Sequence, residues 1–334
     1  MRIAVIGSGA IGGLVAGYLK SKGEDTVLIA RFQAQEVINA SGLKISGARG
    51  EYKIEIGAQE KLNFAPDLAI IATKTQDIEK ALKDNSKFIK DSIVLTTQNG
   101  VAADDIVAKF VSREKIVSSI VMFGSTNLEP GKITHNFEGN WIIGRASPEC
   151  KVDLTALAAV LGKAFPVLVS ENIRGMKYLK IFVNANNCIS AILGVSMQEA
   201  FSDVDVSRIS INIWREGLEV ISKARISLVT LPDFPLERLT KLTGMPSLEA
   251  AKIYSGIMSG LSKEPLYGSI LQSIKRGKSS EIDYINGEFV RIAKSCAMKV
   301  PLNEKLVFMV HEVEKSGKFF SKEELINSTK QFIK

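Results

Sequence analysis

The sequence predicts an α/β amino-terminal half built on a parallel sheet, followed by an all-α carboxy-terminal half. Three observations carry this expectation. β-rich runs at residues 2–6, 26–30, 68–73 and 93–97 alternate with helical patterns at 10–20, 76–89 and 101–110, as expected for parallel strands joined by crossover helices. A glycine-rich turn, Gly7-Ser8-Gly9-Ala10-Ile11-Gly12, sits between the first strand and the first helix. After a last strand-like run at 167–170, the chain from residue 172 to about 315 reads almost wholly helical, with breaks at Gly194, 231–235, 244–246 and Pro301.

The elements between these follow from local chemistry. Runs at 43–46 and 52–56 flank a Gly-containing turn and predict a hairpin inserted into the first half. Residues 115–145 are again β-rich, punctuated by Gly124, Gly131, Gly139 and Gly144. Ser321 followed three residues later by Glu324 predicts a capping box that opens a short amphipathic helix. The expected organisation is therefore a domain at 1–170, a helical domain at 171–315, a tail at 316–334, and a cleft between the two domains.

Composition narrows the function classes. With 334 residues, 46% hydrophobic and 24% charged, the chain has apolar material for two cores. No apolar run approaches a membrane span, and the start MRIAVIGSG breaks into glycine too early for a secretory leader, so a cytoplasmic protein is expected. Three dispersed cysteines and two histidines (His135, His311) offer no disulfide framework and no metal site. Any proton donor must then be Lys, Tyr, Asp or Glu. The net charge of +7 is spread over polar helix faces without aromatic interleaving. It suits anionic small molecules better than nucleic acid. Apolar faces on the second-half helices would suit a homodimer.

The glycine turn carries the first candidate site. In a Rossmann-type domain the first glycine permits the tight turn, the second lets the backbone approach a pyrophosphate, and the third lets helix and strand pack closely. The phosphates then rest on the helix N-terminus, here Gly7, Ser8, Gly9, Ala10, Ile11 and Gly12. The second strand ends in Arg31 with no acid at its tip. An acid there would hold a ribose 2′-hydroxyl, whereas Arg suits a 2′-phosphate, so NADP is favoured over NAD. Lys74, after another strand, reads either as a second phosphate-binding charge or as a solvated loop residue. Asn99, in TTQNGV, reads either as part of a turn or as a contact to the nicotinamide ribose or the substrate.

The second candidate site lies on the first long helix of the second half. The run 178–193 reads as one apolar helix on which Lys180, Asn184 and Asn187 fall on a narrow stripe. A Lys and two amides on an apolar helix are costly unless paired or facing a cleft; the alternative is a solvated helix face. Hydride addition to a ketone leaves a developing alkoxide, and an ammonium within reach stabilises that charge and then donates the proton. With so few histidines, Lys180 is the natural donor.

Several motifs together resemble the ketopantoate reductase (2-dehydropantoate 2-reductase) family. They are GSGAIGG, TKTQD, TTQNGV, TNLEPGKITHNFEG, KIFVN and SILQSIKRGKSSEIDYINGEFVRIAKSCAMKVPLNEKL, spanning about the first 310 residues. The resemblance implies NADPH-dependent reduction of 2-dehydropantoate to pantoate, on the route to pantothenate and coenzyme A. It implies Lys180 as general acid, and Glu281 as its counter-charge or as acceptor for the substrate hydroxyl. On spacing alone Glu281 is equally a helix-terminal acid. Ser269 matches a family position that binds substrate carboxylate, and would otherwise be a helix cap. With Asn99, Asn184 and Asn187 these residues form the expected substrate set.

Three positions depart from the family pattern. Cys188 stands where the family has a second Asn after the Lys, unless Asn187 takes that place through a one-residue shortening. Leu266 replaces an Asn three residues before Ser269, and Ser273 replaces an Asp. Losing fixed polar partners erodes discrimination between substrates. Two rival expectations follow: the same machinery acting on another 2-keto acid or imine, and a dinucleotide-binding regulator that does not turn over.

Overall fold

The computed structural model describes residues 1–262 and 264–333. The chain divides into two compact units, Met1–Arg174 and Gly175–Lys334. In the first, the order is β1 (Arg2–Ile6), α1 (Ala10–Ser21), β2 (Asp25–Ile29), α2 (Phe32–Ser41), β3 (Leu43–Gly47), β4 (Tyr52–Ile54), β5 (Ala58–Gln59) and β6 (Leu68–Ile71). It continues with α3 (Ile78–Ile89), β7 (Ile93–Thr96), α4 (Ala102–Val107), β8 (Ile116–Val121), β9 (Gly124–Glu129), β10 (Lys132–Phe137), β11 (Trp141–Arg145), α5 (Leu154–Leu161) and β12 (Val167–Ser170).

The main sheet has eight strands in the order β12-β11-β8-β7-β6-β1-β2-β5. All its pairings are parallel except β8–β11. Residues alternate across it with period two. Ile3 and Val5 pack on the face that carries Leu14, Val15 and Leu19 of α1. Ala4 and Ile6 pack on the face that carries Ile78, Leu82 and Ile89 of α3. A sheet covered on both faces needs such continuous apolar strands, which is why IAVI and LAII were legible. The chain leaves β1 toward β2 on one side and returns to β6 on the other, so the strand order reverses beside β1. That reversal is where open α/β sheets bind ligands.

The predicted hairpin exists as β3–β4, paired Leu43↔Ile54, Lys44↔Lys53 and Ile45↔Tyr52. It is not an isolated insertion. It joins β9 and β10 in a four-stranded sheet, order β4-β3-β10-β9. Ile133 and Ile45 of this sheet press on α1, where β-carbons built on Gly13 and Gly17 would approach them to 2.7 and 2.5 Å. α2 was absent from the sequence expectation, because its hydrophobic face is narrow and only Ile38 is buried.

The second unit is helical: α6 (Ile173–Ala185, opening at the boundary), α7 (Asn187–Leu193), α8 (Met197–Phe201), α9 (Val204–Lys223), α10 (Leu236–Gly244), α11 (Ser247–Ser259), α12 (Ser269–Lys275), α13 (Asn286–Ser295), α14 (Pro301–Ser316) and α15 (Lys322–Thr329). The single helix expected over 178–193 is two. α6 stops at Ala185 and α7 starts at Asn187, with Asn186 between them donating to the Tyr254 hydroxyl at 3.0 Å. α7 ends at Gly194, whose φ of 74° is the left-handed cap conformation. α9 is the spine. Trp214 Nε1 donates to the Phe182 carbonyl at 2.7 Å, and a side chain at Gly217 would run into Phe182 and Phe289. The Glu216 carboxylate accepts from the Leu302 and Asn303 amides, both at 3.0 Å, capping α14. The capping box at Ser321 and Glu324 is present.

The glycines of the first turn differ in what they tolerate. A β-carbon on Gly12 would overlap the Gly7 carbonyl oxygen and come within 2.9 Å of the Ala72 β-carbon, whereas one on Gly9 would meet nothing within 4 Å. Gly12→Ala is expected to destabilise the chain by about 1–3 kcal/mol through overpacking. Gly9→Ala should leave the melting temperature unchanged. Thermal denaturation of the two variants side by side checks this, and equal melting temperatures would contradict it.

Candidate active site

The first group of candidate residues gathers at the carboxyl ends of β1, β2, β6 and β7. Gly7 has φ of 117°, and its α-carbon faces the Ala72–Thr73 backbone so closely that a β-carbon would lie 2.8 Å away. No L side chain fits there. Gly9 is the N-cap of α1 and carries no capping side chain. The open space in front of it leaves the helix N-terminus accessible to an anion, as a dinucleotide pyrophosphate requires. The donor set present therefore fits the cofactor.

Arg31 caps α2 and is 82% exposed, with Nη2 donating to Asp77 Oδ2 at 3.4 Å. Lys74 is half-buried at the N-cap of the 3-10 turn 75–77 that carries Asp77, so both cations border one turn. Asn99 is half-buried just past β7, before Gly100 with φ of 78°. Its neighbour Gln98 was not singled out from the sequence. The Gln98 Nε2 donates to the Ile71 and Thr73 carbonyls, both at 2.8 Å, and its Oε1 accepts from the Thr97 amide at 3.1 Å. This buried amide ties the end of β7 to the end of β6 and fixes where Asn99 emerges. A polar residue immediately after an apolar strand was the available signal.

The second group lies within the helical unit. Lys180 and Asn184 project from α6 and Asn187 from the first residue of α7, all three half-buried among mostly buried neighbours. The break at Asn186 keeps helical backbone angles, φ −74° and ψ −12°, so the stripe continues across it. A β-carbon on Gly268 would lie 3.0 Å from Asn187, which places Asn187 against the start of α12. Ser269 is the first residue of that helix and exposed; Gly268, not Ser269, is its N-cap. Glu281 is half-buried and caps the 3-10 turn 282–284 rather than an α-helix.

Electrostatics connect these residues. Burial lowers the Lys180 ammonium to about 8, helped by the Lys177 charge and opposed by Glu281. Lys177, one turn earlier on α6, is itself only 3% exposed. It lies on the same face as the polar stripe, seven residues before Asn184, but ahead of the run 178–193 on which the sequence shows that stripe. The Glu281 segment is held from α14. Glu314 Oε1 accepts from the Ser280 amide at 2.7 Å, and His311 bridges Glu314 and Asp283, at 3.0 Å from each. Of the departures, Cys188 is fully buried and burial pushes its thiol up to about 12, and Ser273 is buried with its hydroxyl on the Ser269 carbonyl at 2.8 Å. Leu266 is half-buried, with backbone bonds to Gln198 and Met197.

A glycine cradle at the switch point of a Rossmann-type sheet, followed by a helical unit with a polar stripe around a half-buried lysine, defines a two-domain oxidoreductase with a dinucleotide-binding fold. The chain belongs to the ketopantoate reductase family. The models of ketopantoate reductase PanE/ApbA and of its C-terminal domain match residues 3–148 and 172–314. The 2-dehydropantoate 2-reductase of Pyrococcus horikoshii is 32% identical over 95% of this chain and 99% of its own length. That of Pyrococcus abyssi is 31% identical over 91% and 94%. Among solved structures, D-mandelate dehydrogenase with NADH and anilino(oxo)acetate superposes with a TM-score of 0.80 at 26% identity, covering 95% of this chain and 99% of that one. A PanE/ApbA family ketopantoate reductase from Ralstonia eutropha JMP134 does so with a TM-score of 0.80 at 25% identity and the same coverage. Among the described residues, no helix is long and apolar enough to cross a membrane.

His311 gives the helical unit a defined pH response. Burial alone would lower its pKa, but the bonds and charges of Asp283 and Glu314 outweigh burial and raise it above its ordinary 6.5. The stabilisation is then fully present below pH 6.5 and is lost as pH rises through the raised value. The stability advantage of the native chain over His311→Gln should shrink along that course, as read by denaturant melts across pH. A gap that widens at alkaline pH would refute the assignment.

Proposed function

We propose that the chain is an NADP-dependent 2-dehydropantoate 2-reductase that forms pantoate in pantothenate and coenzyme A biosynthesis, with Lys180 as general acid. The observation that carries this reading is Lys180 itself, half-buried on one helical stripe with Asn184 and Asn187. Its pKa is lowered to about 8, so near neutral pH it is mostly protonated yet releases its proton readily. Bound NADPH supplies the hydride to the substrate carbonyl carbon. The Lys180 ammonium stabilises the alkoxide that results and then protonates it. Asn184 and Asn187, on the same stripe, offer amide hydrogen bonds to the substrate. Ser269 beside Asn187 suits its carboxylate, Glu281 accepts from its hydroxyl, and Asn99 contacts the nicotinamide ribose or the substrate.

The cofactor assignment rests on the tip of β2, where the chain runs Ile29-Ala30-Arg31 with no acid for a ribose 2′-hydroxyl. Pyrophosphate falls to Gly7, Ser8, Gly9, Ala10, Ile11 and Gly12. Arg31 and Lys74 then take the 2′-phosphate. The exposed Arg31–Asp77 pair is worth little, so a phosphate dianion displaces it at small cost.

A second reading keeps the machinery and changes the substrate to another 2-keto acid. The likeness to D-mandelate dehydrogenase and Leu266 in a position where the family has an amide favour it. Cys188 and Ser273 do not, since both are turned into the helical core.

Steady-state NADPH oxidation with 2-dehydropantoate tests the proposal beside NADH, an aryl 2-keto acid, Lys180→Ala and Arg31→Ala. Lys180→Ala should lower kcat about 10²–10⁴-fold, the range for a lost general acid. Arg31→Ala should raise KM for NADPH while sparing NADH. Undiminished turnover in Lys180→Ala removes the general acid, a native preference for NADH removes the NADP assignment, and faster reduction of the aryl acid selects the second reading. Tight NADPH binding with no carbonyl reduced would make the chain a regulator.

A further inference from the structure

Lys177 is a buried cation to which the proposed mechanism gives no task. It precedes Lys180 by three positions on α6, and such residues are neighbours on a helix surface, with β-carbons roughly 5–6 Å apart. It is 3% exposed, and the adjoining Tyr178 and Leu179 are buried as well. A Met or Leu of similar length would fill this place without desolvating a charge, so the ammonium is what distinguishes the position. Lys180 is the more exposed of the two.

We propose that Lys177 is a positioning residue for the reaction: its ammonium, buried one helical turn before Lys180, keeps the Lys180 ammonium ready to release its proton to the substrate oxygen. The inference rests on Lys180 being the general acid. Two like charges in a region of low polarity repel, and the repulsion is relieved when one of them gives up a proton. In the step concerned, hydride from the reduced nicotinamide forms the C–H bond and the nicotinamide is oxidised. The N–H bond of Lys180 breaks as the O–H bond of the product forms, leaving a neutral amine that solvent reprotonates. The neutral amine is the state the neighbouring cation favours.

Among the described residues, the charges that act on Lys180 include Lys177 and Glu281. Lys177 acts from its own helix and Glu281 from the segment before the 3-10 turn, in opposite directions. Several charged groups on the packed helices α9 and α13 are engaged elsewhere. Glu216 binds the Leu302 and Asn303 amides, Arg215 the Thr243 and Met245 carbonyls, and Glu288 the Arg291 guanidinium. Lys177 and Glu281 thus act on the proton donor in opposite senses, Lys177 the more strongly.

The test is the pH profile of kcat/KM for the native enzyme, Lys177→Met, Lys177→Gln, Lys177→Arg and Lys180→Ala. The active form is protonated at Lys180, so activity falls on the alkaline side. Removing the Lys177 charge raises the Lys180 pKa, and the alkaline limb should move up by on the order of one pH unit. Lys177→Arg should restore the native limb. An unmoved limb in a neutral variant that keeps the native melting temperature and NADPH affinity overturns the proposal. Retained turnover in Lys180→Ala overturns instead the general-acid reading beneath it. Should both neutral variants fail to fold, a lysine-¹⁵N titration of the native chain decides. An inflection of the Lys180 signal well below the ordinary lysine value of about 10.4 supports the proposal, and one at that value rejects it.

Discussion

Between β1 and α1 the chain leaves no room for side chains. Gly7 lies against the Ala72–Thr73 backbone, and Gly12 lies against Gly7 itself. Because the strand, the turn and the helix touch through backbone, the helix N-terminus is delivered to the reversal point of the sheet instead of being held off by a residue's width. The opposite flank of α1 is just as close-fitting, since Gly13 and Gly17 admit Ile133 and Ile45 of the smaller sheet. One helix thus serves both sheets. Its glycines cost helical propensity, and the two-sided packing offsets that cost.

The helical unit is organised around a different constraint, the removal of charge from water. Phe182 of α6 packs against Trp214 and Phe289, and yet the helix carries two lysines within one turn. Such charges persist only where the surroundings answer them. Here Glu281 answers, and the segment that bears it is held by bonds from α14 to Ser280 and Asp283. The residues that hold Glu281 are thus as much a part of the proposed site as Glu281.

What the sequence revealed follows from the range of the forces involved. The strands of the main sheet, the glycine turn, the break at Pro301 and the capping box at Ser321 are set by neighbours in sequence, and their patterns were plain. The partnership of β3 and β4 with β9 and β10 depends on pairing across the span from Lys44 to Lys132, which no local pattern encodes. The stripe Lys180, Asn184, Asn187 was visible from helical geometry, although the turn at Asn186 that divides it was not, because Asn186 turns on a bond to Tyr254 far along the chain. Gln98 and His311 escaped for the same reason. Each has its meaning from partners on another strand or turn of helix, and composition alone made them ordinary polar residues.

The carboxylate of Glu216 deserves a mechanical description. It grips the first amides of α14, and fifteen residues of rigid helix later the same rod ends beside Ser316, having presented His311 and Glu314 on the way. A helix of this length spans about 24 Å and bends little. A displacement imposed at Leu302 would therefore arrive at the Glu281 segment almost undamped. Glu216 is spent on the Leu302 and Asn303 amides, yet the alignment of a group proposed to meet the substrate hydroxyl is referenced to it, as a beam is referenced to its anchor.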